Sequence, residues 1–332
     1  MTPQDALIAI GSGLLSALAA LTFLSGAPLA LGLVYLAPLP LMMAGFARGP
    51  RVTAIGVLAG VVATGAIGGL STAALFGLAQ GLPSWAAVRL GLTPQRVDRG
   101  GAVANRGGAV ANQGSVVDWP PAGIVLSGLT VLGGIFLVFA AIATEDGLSV
   151  AVAAQLDTAF SGFASNLAEA DRQAMIQALM PLFPGSVAAS WVMMAVVNAS
   201  LAQRALVRID QAIRPSPVFA DLTLPQWMAW PLVGAAGLAL TGSATGAGEL
   251  EYLGRNLAIV LAAPYFFVGL AVFHTLARQV GHSSALLIAF YLVIAISLWA
   301  ALVVAGVGIV EHWFGLRSRM SAVNPNAGNE DE

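Results

Sequence analysis

The stretch NLAIVLAAPYFFVGLAVFHTLA, residues 256–277, holds no charged side chain, and His274 is its single titratable imidazole. At about 1.5 Å per residue, a helix of this length crosses the roughly 30 Å of hydrocarbon in a bilayer. A soluble core does not need so many consecutive apolar residues. Comparable runs lie at 122–144, 185–206 and 283–310, and further ones at 6–24, 27–46, 52–69, 71–90 and 228–244. Together they predict an all-α fold, a polytopic transmembrane helix bundle of about nine spans. Gly68-Gly69-Leu70-Ser71 leaves one alternative open. It reads either as a tight turn between two short spans or as a weak point in one long helix, which would make eight.

Composition agrees with a membrane protein. Hydrophobic residues make up 58% of the chain and charged ones 9%, against about 25% charged in a soluble domain. Residues 1–315 read as a single integral membrane domain, and 316–332 as a polar, disordered tail ending in Glu330-Asp331-Glu332. The formal charge of −2 argues against nucleic acid as a partner, since phosphate binding needs a basic patch. Cysteine is absent, which excludes disulfides, thiolate catalysis and Cys-ligated metals. Residues 1–47 contain no Lys or Arg, so the first apolar run reads as a retained helix rather than a signal peptide.

None of the 14 Lys+Arg residues is a lysine, and the arginines are unevenly shared between loops. Arg48 and Arg51 follow the second run; Arg89, Arg96, Arg99 and Arg106 follow the fourth. Arg204, Arg208 and Arg214 follow the sixth, and Arg278 the eighth. The alternate loops hold Arg172 and Arg255 among seven carboxylates. Short basic loops stay inside, so the first set and the N-terminus are expected in the cytoplasm of a bacterium, with the protein multi-pass in its inner membrane. Arg317 and Arg319 would then lie outside, against the trend.

Two connections stand apart. Residues 91–121 read as a flexible cytoplasmic loop whose 100–113 segment, GGAVANRGGAVANQ, is a tandem duplication. A phosphate-cradling role would need a strand before it and a helix after it, and neither is evident. Residues 146–184 read as an extracytoplasmic amphipathic segment, because Leu156, Phe160, Phe163 and Leu167 recur on one helical face. A structured connector is the bland reading of that segment, a gate the sharper one.

Within the spans, Gly56, Gly60, Thr64 and Gly68 form an i,i+4 ridge, and Ser12, Ser16 and Ala20 form a second. Such ridges let helices approach closely in lipid, most often within one chain and less often against a partner. Gly69, off the ridge, is expected to tolerate a larger side chain. Polar residues at depth are few, and no carboxylate or arginine is obvious there, which weighs against a proton pump or cation antiporter. The candidates for contact with a substrate are Asn198, Tyr265, Tyr35, Asn256 and His274. Asn256, Tyr265 and His274 are spaced at about 2.5 turns, so neighbours in the series point to opposite sides. For His274 a backbone-bonded imidazole is the more ordinary use, and for Asn198 an interhelical hydrogen bond. Pro38, Pro40 and Pro264 interrupt apolar spans and free carbonyls one turn earlier. Interrupted spans often mark transporter sites, although simple kinks are common. No catalytic, metal-binding or nucleotide-binding constellation is recognised. No enzyme activity and no cofactor is therefore expected.

Several motifs resemble the YybS-like family of bacterial membrane proteins, a family of unknown function. They are Ala37-Pro38-Leu39-Pro40-Leu41, Gly81-Leu82-Pro83, the run Pro264-Tyr265-Phe266-Phe267-Val268-Gly269 with His274, and Trp313-Phe314-Gly315-Leu316-Arg317. The N-terminal half is similar in style to substrate-binding membrane components of energy-coupling-factor vitamin transporters. Those dock on a partner through small residues of the first helix, often Ala-x-x-x-Ala, and Ser12, Ser16 and Ala20 are the nearest equivalent here. The resemblance implies a protein that binds or moves a small solute and takes energy from a separate membrane protein partner. The alternative is a non-transporting membrane scaffold or envelope-assembly factor that acts through helix–helix contacts. A lipid-modifying enzyme is the weakest reading. In each case the lipid bilayer is the surrounding partner.

Overall fold

The computed structural model describes residues 1–25, 28–96, 109–111, 115–163, 168–278 and 283–323. It divides the chain into two compact units, Met1–Leu129 with Trp191–Pro217, and Thr130–Ser190 with the chain from Val218 onward.

In the first unit, α1 (Pro3–Leu21) opens on a reciprocal cap: the Thr2 hydroxyl accepts the Asp5 N–H and the Asp5 carboxylate accepts the Thr2 N–H. The second span is broken at Ala37 into α2 (Pro28–Leu36) and α3 (Pro38–Arg48). Pro38 and Pro40 cannot donate to the preceding turn, so the helix is interrupted where the sequence reading expected. Then follow α4 (Pro50–Phe76), a π-helical turn at Gly77–Gly81 and α5 (Leu82–Gly91).

Inside α4, Gly69 has φ 80° and ψ −177°, a backbone conformation open to glycine and strained for other residues. The chain reverses there. A Cβ built on Gly65 would lie 3.2 Å from the Ala73 methyl, one on Gly77 3.4 Å from Val61, and one on Gly81 2.5 Å from Val57. Residues equally far from Gly69 on either side thus face each other. Segments 50–68 and 70–91 are the arms of an antiparallel hairpin, which decides the open alternative for two arms. It also corrects the expectation that Gly69 tolerates a larger side chain.

The hairpin makes sense of the glycine ridge. A Cβ on Gly13 of α1 would collide with the Gly56 carbonyl, and one on Gly56 would lie 2.9 Å from the Ala9 carbonyl. Gly60 faces Phe76 of the returning arm and the Gly13 carbonyl. Ala17, Leu41 and Phe76 form a core cluster flanked by Ala20. Thr64 is buried and donates to Gly60 O of its own helix, while Gly68 faces Thr72 beside the reversal. The ridge is spent on packing within the chain.

The same packing gathers specific helix ends. Arg48, at the end of α3, approaches Asp5 of α1 at 3.8 Å. Ile213 N–H donates to Phe46 O at 3.4 Å and Arg214 to Gly91 O at 2.9 Å. The start of α1, the α3–α4 turn, the end of α5 and the 204–217 segment therefore share one end of the unit.

Residues 91–121, expected as an irregular loop, include a small antiparallel sheet in the order β1-β3-β2: β1 (Gln95–Arg96), β2 (Ala109–Ala111) and β3 (Ser115–Asp118). Arg96 pairs with Val117, and Val110 with Val116. Most of the duplicated segment lies outside the described residues.

The chain passes between units within α6 (Ala122–Ala143) and α9 (Phe183–Arg208). In the second unit, α7 (Leu148–Phe163) and α8 (Glu169–Leu179) pack through Leu156, Phe160 and Ile176. Leu156 and Phe160 stand on the apolar face that the periodicity predicts, while the Phe163 side chain and Leu167 lie outside what the structure describes. Helices α10 (Ala229–Thr245) and α11 (Gly248–Ala277) form a second hairpin about Gly246. There a Cβ on Gly254 would fall 2.9 Å from the Ala235 carbonyl.

The 283–310 run, expected as one span, is two helices, α12 (Ser283–Ile296) and α13 (Leu298–Phe314), bent by 116°. Ser297 is extended at φ −124°, and its hydroxyl accepts the Ala300 N–H, starting α13 afresh. Residues 316–323, expected as part of a disordered tail, form α14 (Leu316–Val323).

Among the described residues, six helical stretches are long and apolar enough to cross a membrane: Pro3–Leu24, Ala30–Arg48, Pro50–Gly91, Ala122–Ala143, Glu169–Arg208 and Gly248–Ala277. The bent α12–α13 pair makes a seventh if it is counted as one span. The count takes Pro50–Gly91 as one helix, whereas the reversal at Gly69 gives it two arms.

Candidate functional site

Proline supplies no N–H, so the carbonyl four residues earlier loses its helical donor. Within lipid that carbonyl must find another partner. A side chain from another helix takes this role at Pro83, which frees Ala79 O to accept from Trp191 Nε1 at 2.8 Å. Met180 O, which already accepts the Phe183 N–H, receives a second bond from the Tyr252 hydroxyl at 2.8 Å. The α2–α3 break is bonded differently: Ser16 donates to Ala37 O at 2.6 Å and Asn198 to Tyr35 O at 2.7 Å, neither of them the carbonyl that Pro38 or Pro40 frees.

Asn198 lies on α9 and is 1% exposed. Its amide nitrogen also donates to Met194 O at 2.8 Å. Both neighbours are carbonyls, so the amide must turn its NH2 toward them. Its Oδ1 is left buried without a hydrogen-bond partner. Tyr35 contributes its backbone carbonyl, while its side chain is exposed.

The three candidates on α11 meet different neighbours. Asn256 accepts the Gly185 N–H at 2.8 Å and donates to Pro181 O at 3.2 Å and Tyr252 O at 2.9 Å. It closes the junction between α8 and α9 from outside, serving a first-turn amide that its own helix leaves unbonded. Tyr265 is fully buried where α11 meets α13. Gly269 there leaves room for Val304 O, and Gly308 for Tyr265 O. The Tyr265 ring lies edge-on to His312 at 5.4 Å, and its hydroxyl has no partner. His274 Nδ1 lies 2.9 Å from Leu270 O, so Nδ1 carries the proton. Its Nε2 is 3.5 Å from the Tyr291 hydroxyl, and Phe219 is edge-on to its ring.

Several polar contacts escaped the sequence reading. Glu311, 8% exposed, receives Arg317 Nε at 2.7 Å and the Arg317 backbone N–H at 3.0 Å. The same guanidinium donates to Ala220 O and Leu222 O. This ties α14 to α13 and neutralises Arg317, one of the two arginines that broke the charge trend. Arg172 is likewise paired with Glu169 and Asp157, and Arg255 with Glu251. Arg214 is also buried, with its carbonyl accepting from Gln203 at 2.6 Å. Burial pulls its pKa below the ordinary value, although an arginine remains charged. For Trp191 the available signal was Pro83, which frees the Ala79 carbonyl, and nothing local marked Tyr252. For Glu311 it was a carboxylate at the end of a long apolar run.

These features define an α-helical, polytopic membrane protein whose helix breaks are bonded by side chains of other helices. The family described as predicted membrane protein (DUF2232) matches residues 115–311, and the chain belongs to it. Neither a curated protein nor a solved structure matches the chain significantly.

Proposed function

We propose that this protein binds a small polar solute inside the bilayer, at the α2–α3 break, as a non-enzymatic component that takes energy from a separate partner. The observation that carries this reading is Asn198 Oδ1. Its amide is held by two carbonyls, and its oxygen is buried with no donor. An unmet acceptor costs about 1–3 kcal/mol, and a solute carrying an N–H or O–H would remove that cost. The buried Tyr265 hydroxyl is a second unmet group, in the other unit. The likeness to YybS-like proteins and to vitamin-transporter components points the same way, as does the arginine bias of an inner-membrane protein. Ser16 is fully buried against Ala37, so a partner would dock on a surface other than this ridge.

The second reading, a membrane scaffold or assembly factor, is favoured by Met175, Leu179 and Leu182, apolar and exposed along and just beyond α8. A thermal-shift screen of the detergent-solubilised full chain against vitamins, nucleobases, amino acids and lipid headgroups separates the two. Solute binding predicts a rise in Tm, set by RT ln(1 + [L]/Kd), that Asn198→Ala abolishes. A wild type that no compound shifts, with Asn198→Ala destabilised by about 0.6–2 kcal/mol, would favour the scaffold.

A further inference from the structure

Among the described residues, arginines without a carboxylate partner are gathered at one end of the first unit. In the second unit Arg172, Arg255 and Arg317 are each paired with a carboxylate, while Arg278 and Arg319 are not, among the described residues. At the gathered end of the first unit, Arg48 meets Asp5. Arg51, Arg89, Arg204, Arg208 and Arg214 have no carboxylate within ion-pair distance among the described residues. Exposed apolar side chains alternate with them: Val207, Ile209 and Ile213 lie in the same 204–217 segment.

Arg214 is the fixed member of the group. It is 8% exposed, one guanidinium nitrogen is held by Gly91 O, and its Nε is buried without a partner. Gln203, which holds its carbonyl, is also buried and has an unpartnered Oε1. By occupying Gly91 O, Arg214 also covers a carbonyl at the negative end of α5, which would otherwise repel an anion.

We propose that this end of the first unit binds the phosphate of anionic phospholipid headgroups, with Arg204 and Arg208 gathering the lipid and Arg214 as the inner donor. The apolar side chains among the arginines place the surface where acyl chains begin, which selects a lipid over a soluble anion. Arginines near an anionic surface attract it additively, and salt screens the attraction.

The test is native mass spectrometry of the detergent-solubilised full chain titrated with phosphatidylglycerol or phosphatidylcholine, with Tm read in parallel. Phosphatidylglycerol should bind preferentially, raise Tm and lose affinity with added salt. Arg204→Gln/Arg208→Gln, both exposed, should weaken phosphatidylglycerol binding on the order of tenfold or more with the lipid-free Tm unchanged. Arg214→Gln should also lower lipid retention, beyond any loss of stability. Equal binding of the two lipids, or a double variant that retains phosphatidylglycerol as wild type does, would overturn the proposal. So would displacement of the lipid by millimolar inorganic phosphate, which would assign the site to a soluble anion.

Discussion

Asn256, on α11, accepts the Gly185 N–H of α9 at 2.8 Å and returns hydrogen bonds to Pro181 and Tyr252 carbonyls. One amide completes a helix start seventy-one residues away in the chain. The Gly185 backbone lies so close that a Cβ there would sit 2.7 Å from Asn256 O. Asn256→Ala should therefore lower stability by about 1–3 kcal/mol, since it leaves a buried N–H and carbonyl without a partner. Asn256→Asp should recover less than half of that, as it keeps the acceptor and loses the donor. Denaturant or thermal unfolding in detergent measures both, and an Ala variant as stable as wild type would remove the latch assignment.

The reversal at Gly69 predicts a topology. Arg51→Cys and Arg89→Cys should react with impermeant thiol reagent from the same side of the membrane, and Ser71→Cys from the other. The chain has no native cysteine, so each signal is unambiguous. Labelling of positions 51 and 89 from opposite sides would mean that 50–91 crosses once.

Close packing of α1 on α4 predicts that Gly60→Leu costs about 1–3 kcal/mol, because the added side chain meets Phe76 and the Gly13 carbonyl. Gly11→Leu is the matched control, since nothing lies within 4 Å of a Cβ at that exposed position. Gly69→Leu should be costly as well, for its backbone conformation rather than for packing. Equal melting shifts for Gly60→Leu and Gly11→Leu would argue against the α1–α4 interface.

Glu311 and Arg317 are 8% and 13% exposed at their side chains, so removing one partner strands the other. Glu311→Gln and Arg317→Gln should each cost on the order of 3 kcal/mol. The double variant should cost less than their sum in a double-mutant cycle. Additive losses would show that the two act independently.

Although α11 runs unbroken through Pro264, where an interruption was expected, the membrane class, the positions of the apolar runs, the arginine bias and the break at Pro38 and Pro40 were legible in the residues. Each depends on a local property: transfer free energy summed along a segment, or a missing N–H at a known position. Gly68-Gly69-Leu70-Ser71 shows the limit of such reading. A left-handed glycine can end a helix or bend it, and only the facing of Gly65 with Ala73 and Gly81 with Val57 decides for reversal. The tertiary structure likewise chose which side chain bonds the carbonyl that Pro83 frees, placing Trp191 on Ala79. It broke the 283–310 run at Ser297, turned the Gly56 ridge inward onto α1, and paired Glu311 with Arg317 across the turn after α13. A free carbonyl in lipid must be bonded, so the sequence tells where a partner is required. Which residue supplies it depends on contacts between segments far apart in the chain, a hundred and twelve residues for Trp191 and Ala79, and no local pattern encodes that distance.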